Sequence, residues 1–268
     1  MRIELNVNVK PQGVIIYRGP SRINGKPIVV VVTGLNRGSK NGKTGEMVQV
    51  FILADKVKPS KALSTGEDEA VCGDCPHRLV NGSGTCYVNP CHGPDGVMRA
   101  IVNKTYNQVA PIVAANLVEG RVVRLGAYGD PAAVPIDVWD ALLTKAAGWT
   151  GYSHQWRRAI ARGLNRYCMA SVETPKQHAY AIRKGWRTFR IRENADDELL
   201  KGEIVCPASA EAGKRLSCQE CKACSGGNVQ RASVAIIAHG TNWKVKRLGK
   251  VIKAIKQGKR LRFSRPSK

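Results

Sequence analysis

Apolar positions along the chain follow two different patterns. Up to residue 56 they form short β-branched and aromatic runs at 13–18, 27–33 and 47–53. Asn24-Gly25 lies between the first two runs and is a hairpin signal, and a polar stretch at 36–45 containing Asn41-Gly42 leads into the third. Two or three antiparallel strands are expected there. Between 57 and 104 the periodicity gives way to Ser, Gly, Asp, Pro and four cysteines. From 105 onward helix-like and strand-like segments alternate: helix 106–117 and strand 121–127, helix 135–147 and strand 149–153, helix 154–163 and strand 167–172, helix 174–185 and strand 187–192. Strands 203–206 and 233–238 follow. This beat argues for βαβ units with helices covering a parallel sheet. Right-handed crossovers place all strand C-terminal ends on one side, which is where such sheets carry their sites. The pattern predicts an α/β fold built as a partial (β/α) barrel or an open parallel sheet, with an N-terminal antiparallel β segment (1–56), a cysteine-rich α/β domain (57–240) and a basic C-terminal tail (241–268).

No apolar run reaches the roughly 18 to 20 residues of a membrane span, and the first ten residues lack the apolar core of a signal peptide. The expected location is therefore the cytoplasm. Charge changes the picture further. The 268 residues include 43 Lys or Arg against 20 Asp or Glu, for a net charge of +23. The last 44 residues hold twelve of the basic residues and no acidic one. Val245, Leu248, Val251, Ile252 and Ile255 recur there at helical spacing, which predicts a basic amphipathic helix. Lys244, Lys246, Arg247, Lys250, Lys253, Lys256, Lys259, Arg260 and Arg262 are candidates for phosphate contacts with nucleic acid. No base-reading motif accompanies them, so the attachment expected is non-specific.

Nine cysteines fall into two groups of four with Cys168 alone, which is read as a small buried hydrophobe. In a cytoplasmic chain, clustered cysteines point to metal rather than disulfides. Cys72, Cys75, Cys86 and Cys91 form C-x2-C-x10-C-x4-C, with His77 and His92 flanking them as bystanders or as partners of the ligands, not as ligands themselves. Cys206 precedes Cys218, Cys221 and Cys224, whose C-x2-C-x2-C spacing is that of ferredoxin loops. Zinc and an iron–sulfur cluster both suit thiolates, and spacing does not choose between them. Cys206 follows a short strand, which predicts that the second group shares the site-bearing side of the sheet.

The other strand ends carry polar groups as well. Tyr128-Gly129-Asp130-Pro131 follows strand 121–127, with Gly129 permitting close approach of a ligand and Asp130 able either to grip one or to cap the next helix. His154 and Gln155 follow strand 149–153, and His239 follows strand 233–238. These three are candidate catalytic residues.

The order of strand 47–53, cysteine loop, helix 106–117, strand 121–127 and Gly129-Asp130-Pro131 resembles the start of the radical S-adenosylmethionine (SAM) fold. The resemblance implies that three of Cys72, Cys75, Cys86 and Cys91 hold a [4Fe–4S] cluster. It further implies that Tyr128, Gly129 and Asp130 form the turn binding the SAM amino group, with Asp130 where the family has Glu. The family's C-x3-C-x2-C is absent. Segments Cys-Gly-Asp-Cys-Pro-His-Arg, Leu-Gly-Ala-Tyr-Gly-Asp-Pro-Ala-Ala-Val-Pro and Gly-Trp-Thr-Gly-Tyr-Ser-His-Gln-Trp also resemble a set of phage-encoded cysteine-rich proteins, which implies a host-cytoplasmic setting and names no activity. Two functions are thus expected: an iron–sulfur enzyme of radical SAM type acting on nucleic acid or nucleotides, or a zinc-stabilised nucleic-acid-binding protein without catalysis.

Overall fold

A computed structural model describes residues 11–38, 42–80, 84–213, 216–227 and 230–258. Strand β1 (Gly13–Pro20) turns through Asn24-Gly25 into β2 (Pro27–Thr33), and β3 (Val48–Ala54) pairs antiparallel on the other side of β2. The turn is built as the sequence requires. Gly25 has φ +76°, and Asn24 Oδ1 accepts the Lys26 amide at 3.2 Å. Helices α1 (Pro59–Thr65), α2 (Glu69–Cys72), α3 (Gly93–Val102) and α4 (Pro111–Leu117) separate β3 from β4 (Val122–Tyr128), which pairs parallel with β3. After α5 (Ile136–Leu142), β5 (Gly148–Thr150) pairs parallel with β4. A second, all-parallel sheet has the order β6-β7-β8-β10-β9, formed by β6 (Tyr152–Ser153), β7 (Met169–Val172), β8 (Thr188–Arg192), β9 (Glu203–Val205) and β10 (Ser233–Ile237). Helix α6 (Pro175–Arg183) lies between β7 and β8, the short α7 (Cys218–Cys221) precedes β10, and α8 (Asn242–Lys256) follows it.

Only Gly151 separates β5 from β6, so one stretch of chain belongs to both sheets. A Cβ at Gly151 would lie 2.6 Å from Cys168 Sγ and 3.3 Å from Leu125 Cβ, which is why the bend holds glycine. Read through this junction, β3, β4, β5 with β6, β7, β8 and β10 lie side by side in sequence order, all parallel. The third strand of the N-terminal segment is thus the first of this parallel run, and no break in the sheet falls at residue 56.

The larger core is built on β2, where Ile28 to Val32 are all fully buried, with Ile52, Leu53, Val123, Leu125, Trp139 and Leu142 around them. A strand covered on both faces needs apolar side chains at every position, not alternate ones. Trp139 satisfies its indole N–H on the Pro131 carbonyl at 3.1 Å. A smaller cluster joins Met169, Val234 and Ile236 to Cys206 and Cys224.

Three expectations about elements need correction. The 57–104 stretch contains helices α1, α2 and α3, and it is organised by the buried Arg78. Its guanidinium donates to Asp68 at 2.9 and 2.7 Å and to the carbonyls of Gly73 and Gly66 at 2.6 and 3.0 Å. Helix α4 starts at Pro111, not 106, because 107–109 lies along β1, where the Ile15 amide donates to the Asn107 carbonyl and the Val109 amide to that of Ile15. The helix expected at 154–163 is replaced by 3-10 turns at Ala159–Ala161 and Leu164–Arg166. Here Gln155 and Trp156 reach away to the Cys72 and Ser171 carbonyls, at 3.0 and 2.9 Å.

Candidate metal centre

Helix α2 ends at Cys72, and Gly73, with φ +57°, turns the chain so that Cys75 follows within hydrogen-bonding reach of the Cys72 carbonyl. A Cβ at Gly73 would collide with the Gln155 side chain, so this loop is clamped from the end of β6. Cys86 is drawn back onto the loop by its amide, which donates to the His77 carbonyl at 3.1 Å. Cys72, Cys75 and Cys86 thereby come into electrostatic reach of one another. Burial, then the Cys75 and Cys86 sulfurs, raises the Cys72 thiol well above its ordinary range, and burial, then Cys75, raises Cys86. Cys91 is exposed and is not among the main charges that shift either. The Tyr128 hydroxyl is buried with no hydrogen-bond partner among the described residues, and burial, then Cys72, Asp68 and Cys86, pushes its pKa up.

Of the two roles expected of it, Asp130 takes that of a cap on the turn that follows it. Its Oδ1 accepts from the Ala132 amide at 2.9 Å and the Ser153 hydroxyl at 2.7 Å, and its Oδ2 accepts from the amides of His154 and Gln155 at 2.8 and 3.3 Å. It is a buried bracket tying the end of β4 to the end of β6, and it has no oxygen left for an ammonium group. Gly129, at φ +82°, is required by the close backbone of β3, since a Cβ would lie 2.6 Å from the Ile52 carbonyl oxygen. Gln155 is also structural. It is fully buried, donates to the Cys72 carbonyl and accepts from Arg158 at 3.1 Å. His239 is exposed, with Nε2 3.0 Å from Lys43 Nζ and its ring 5.2 Å from that of Tyr87.

His154 does reach the centre. Its Nε2 lies 3.2 Å from Glu173 Oε1, and its ring meets that of His77 edge-on at 5.2 Å. His77 Nε2 is 3.5 Å from the same Glu173 oxygen, while its Nδ1 is 2.8 Å from Thr85 Oγ1. Burial pulls His77 down. It pulls at His154 too, but a hydrogen bond and charge from Cys75, and then Glu173, carry His154 well above its ordinary range. Burial would raise Glu173, yet hydrogen bonds from His154 and His77 hold it at about 2. Among the described residues, these three side chains alone bring metal-capable atoms within 4.8 Å of one another. No three cysteine sulfurs among the described residues come that close together.

The second cysteine group lies elsewhere in the fold. Cys206, Cys218 and Cys221 raise Cys224, after burial, to about 12. The loop carrying them is gripped by Arg187, which donates to the carbonyls of Ala223, Ser225 and Ala232 at 2.8, 2.5 and 2.6 Å. The Gly151 amide donates to the Cys224 carbonyl, and the Gly226 amide to that of Tyr167. Arg187 and Tyr167 precede β8 and β7, so this loop crosses the N-terminal ends of the strands, opposite to Asp130. The expectation that both groups share one side fails because of register. Glu203–Val205 pairs with Ser233–Ala235, the first part of β10, so Cys206 lies beside the middle of that strand and not at its C-terminal end.

Helix α8 buries Leu248, Val251, Ile252 and Ala254, and its Lys244 donates to the Cys86 carbonyl at 2.7 Å. Ile255 lines a cleft of about 180 Å³ with His154 and Glu173. The basic segment is therefore docked over the centre. Lys246, Lys250, Lys253 and Lys256 face solvent, whereas Lys244 and Arg247 are half-buried; Lys259, Arg260 and Arg262 lie outside the described residues. No helix among the described residues is long and apolar enough to cross a membrane.

The chain matches no protein-family model, no curated protein and no solved structure. Sequence reasoning singled out Cys72, Cys75, Cys86 and His154, took His77 for a bystander and missed Glu173. The available signal for Glu173 was its place: it follows β7 as Asp130 follows β4 and His154 follows β6.

Proposed function

We propose that this protein is an iron–sulfur enzyme whose cluster is held by Cys72, Cys75 and Cys86 at the C-terminal ends of a run of parallel strands curved as a partial barrel. What supports the reading is the electrostatic interaction among these three cysteines, two of which, Cys72 and Cys86, also act on the unpartnered Tyr128 hydroxyl. Three thiolates for a four-iron cluster leave one iron to bind something other than protein. Such a cluster supplies one-electron chemistry when bound. The residues around it would shape that chemistry: Gln155 and Gly73 fix the loop, His154 supplies a hydrogen bond to Cys75, and α8 keeps water from the cleft. The fit to SAM is poorer, because Asp130 is fully engaged within the fold, so no step is assigned to it. The exposed lysines of α8 favour a polyanionic substrate, nucleic acid or nucleotide.

The test is electron paramagnetic resonance of anaerobically prepared, dithionite-reduced protein. A cluster signal is expected that persists in Cys91→Ser, disappears in Cys72→Ser and shifts when SAM or another small chelating ligand is added. A colourless protein carrying zinc in place of iron would contradict the reading and favour the non-catalytic nucleic-acid-binding alternative.

A further inference from the structure

His77, His154 and Glu173 form a grouping of which the iron–sulfur reading uses only His154, and that through Cys75. Each comes from a different element: the cysteine loop, the end of β6 and the end of β7. Yet both imidazole Nε2 atoms converge on one carboxylate oxygen, at 3.5 and 3.2 Å. Sites anchored on strand ends are held more firmly than sites on loops. An outer group is also in place. Thr85 Oγ1 engages His77 Nδ1 at 2.8 Å, leaving Nε2 to face the carboxylate. Partners of this kind orient the imidazoles of metal sites.

We propose that His77, His154 and Glu173 bind a first-row divalent metal ion of the zinc, cobalt or iron(II) class. Two imidazoles and one carboxylate suit these metals, while magnesium and calcium prefer all-oxygen sets. Three protein ligands leave at least one coordination position unfilled. That position adjoins the 180 Å³ cleft that His154 and Glu173 line with Asp74, Arg157 and Ile255. A bound ion there would present water or a substrate oxygen to the same cleft that adjoins the cysteine loop. The inference stands on the His77, His154 and Glu173 geometry alone and does not depend on iron at the cysteines.

Cobalt(II) titration of the full-length, chelator-treated protein tests it, because thiolate and nitrogen–oxygen sites differ in spectrum. One equivalent is expected to give ligand-field bands without thiolate-to-cobalt charge transfer. This equivalent should bind at least tenfold more weakly in Glu173→Gln and in His77→Ala, and be retained in Cys72→Ser and Cys86→Ser. Unchanged stoichiometry and affinity in both Glu173→Gln and His77→Ala, or charge-transfer bands alone, would overturn the proposal. Should either variant fail to fold, zinc added to the native chain provides a second readout through imidazole nitrogen resonances. The His77 and His154 Nε2 signals should shift while those of His178 stay fixed, and unmoved His77 and His154 signals would equally overturn the proposal. Loss of this equivalent with cluster iron intact condemns this site alone, and the reverse result condemns only the cluster.

Discussion

Asp130 carries four hydrogen bonds from two elements, and its removal exposes the cost of leaving buried donors unmet. Asp130→Ala orphans the amides of Ala132 and His154 and the Ser153 hydroxyl, while the Gln155 amide keeps its bond to Ser153 Oγ. At about 1–3 kcal/mol for a buried group stripped of its partner, the variant should lose ~3 kcal/mol or more in urea unfolding. A loss below ~1 kcal/mol would show that this carboxylate is not the bracket described. Tyr167 gives a pH-dependent prediction. Burial, then its hydrogen bond to Asp140, raises its hydroxyl to about 12. A raised pKa means that the contribution of this contact is complete below the ordinary tyrosine value of about 10 and is lost as pH rises toward 12. The stability difference between native protein and Asp140→Asn should therefore be flat from about pH 7 to pH 10 and shrink above it, and a difference that grows above pH 10 would contradict the assignment.

At the scale of elements, the bend at Gly151 and the docking of α8 decide how the centre is enclosed. Gly151→Ala places a methyl against Cys168 Sγ and the Leu125 side chain at the point where the two sheets meet. Overpacking of this kind costs about 1–3 kcal/mol, and a neutral result in thermal unfolding would mean the junction yields freely. Helix α8 buries one face, while Lys246, Lys250 and Lys253 line the other at i, i+4 and i+7. Replacing these three with Gln should leave stability within ~0.5 kcal/mol. It should weaken single-stranded nucleic-acid binding and lower the slope of log affinity against log salt by ~2, at about 0.7 per phosphate contact. An unchanged slope removes α8 from the interface.

For the molecule as a whole, what could be read from sequence divides by the range of the interaction. Elements fixed by neighbours in the chain were legible: β2 matches its apolar run at both ends, and the Asn24-Gly25 hairpin and the parallel strands from β4 to β10 lie within a few residues of expectation. Helix α3 was hidden because Gly93-Pro94-Asp95-Gly96 has turn composition, although Pro94 is also suited to the first turn of a helix. At the centre, His154 was legible from its place after the strand at 149–153. Glu173 was not, because only the pairing of β6 with β7 brings it to His154. The side occupied by Cys206 was misjudged because strand register cannot be read from a single short run. Iron and acid-labile sulfide, counted per chain in anaerobically prepared native protein and in the Cys72→Ser/Cys75→Ser/Cys86→Ser variant, test the central claim most directly. A folded variant that has lost about four irons and their sulfide relative to the native chain is the result expected for a four-iron cluster. Native protein without iron, or a variant that keeps the full native complement, would contradict it.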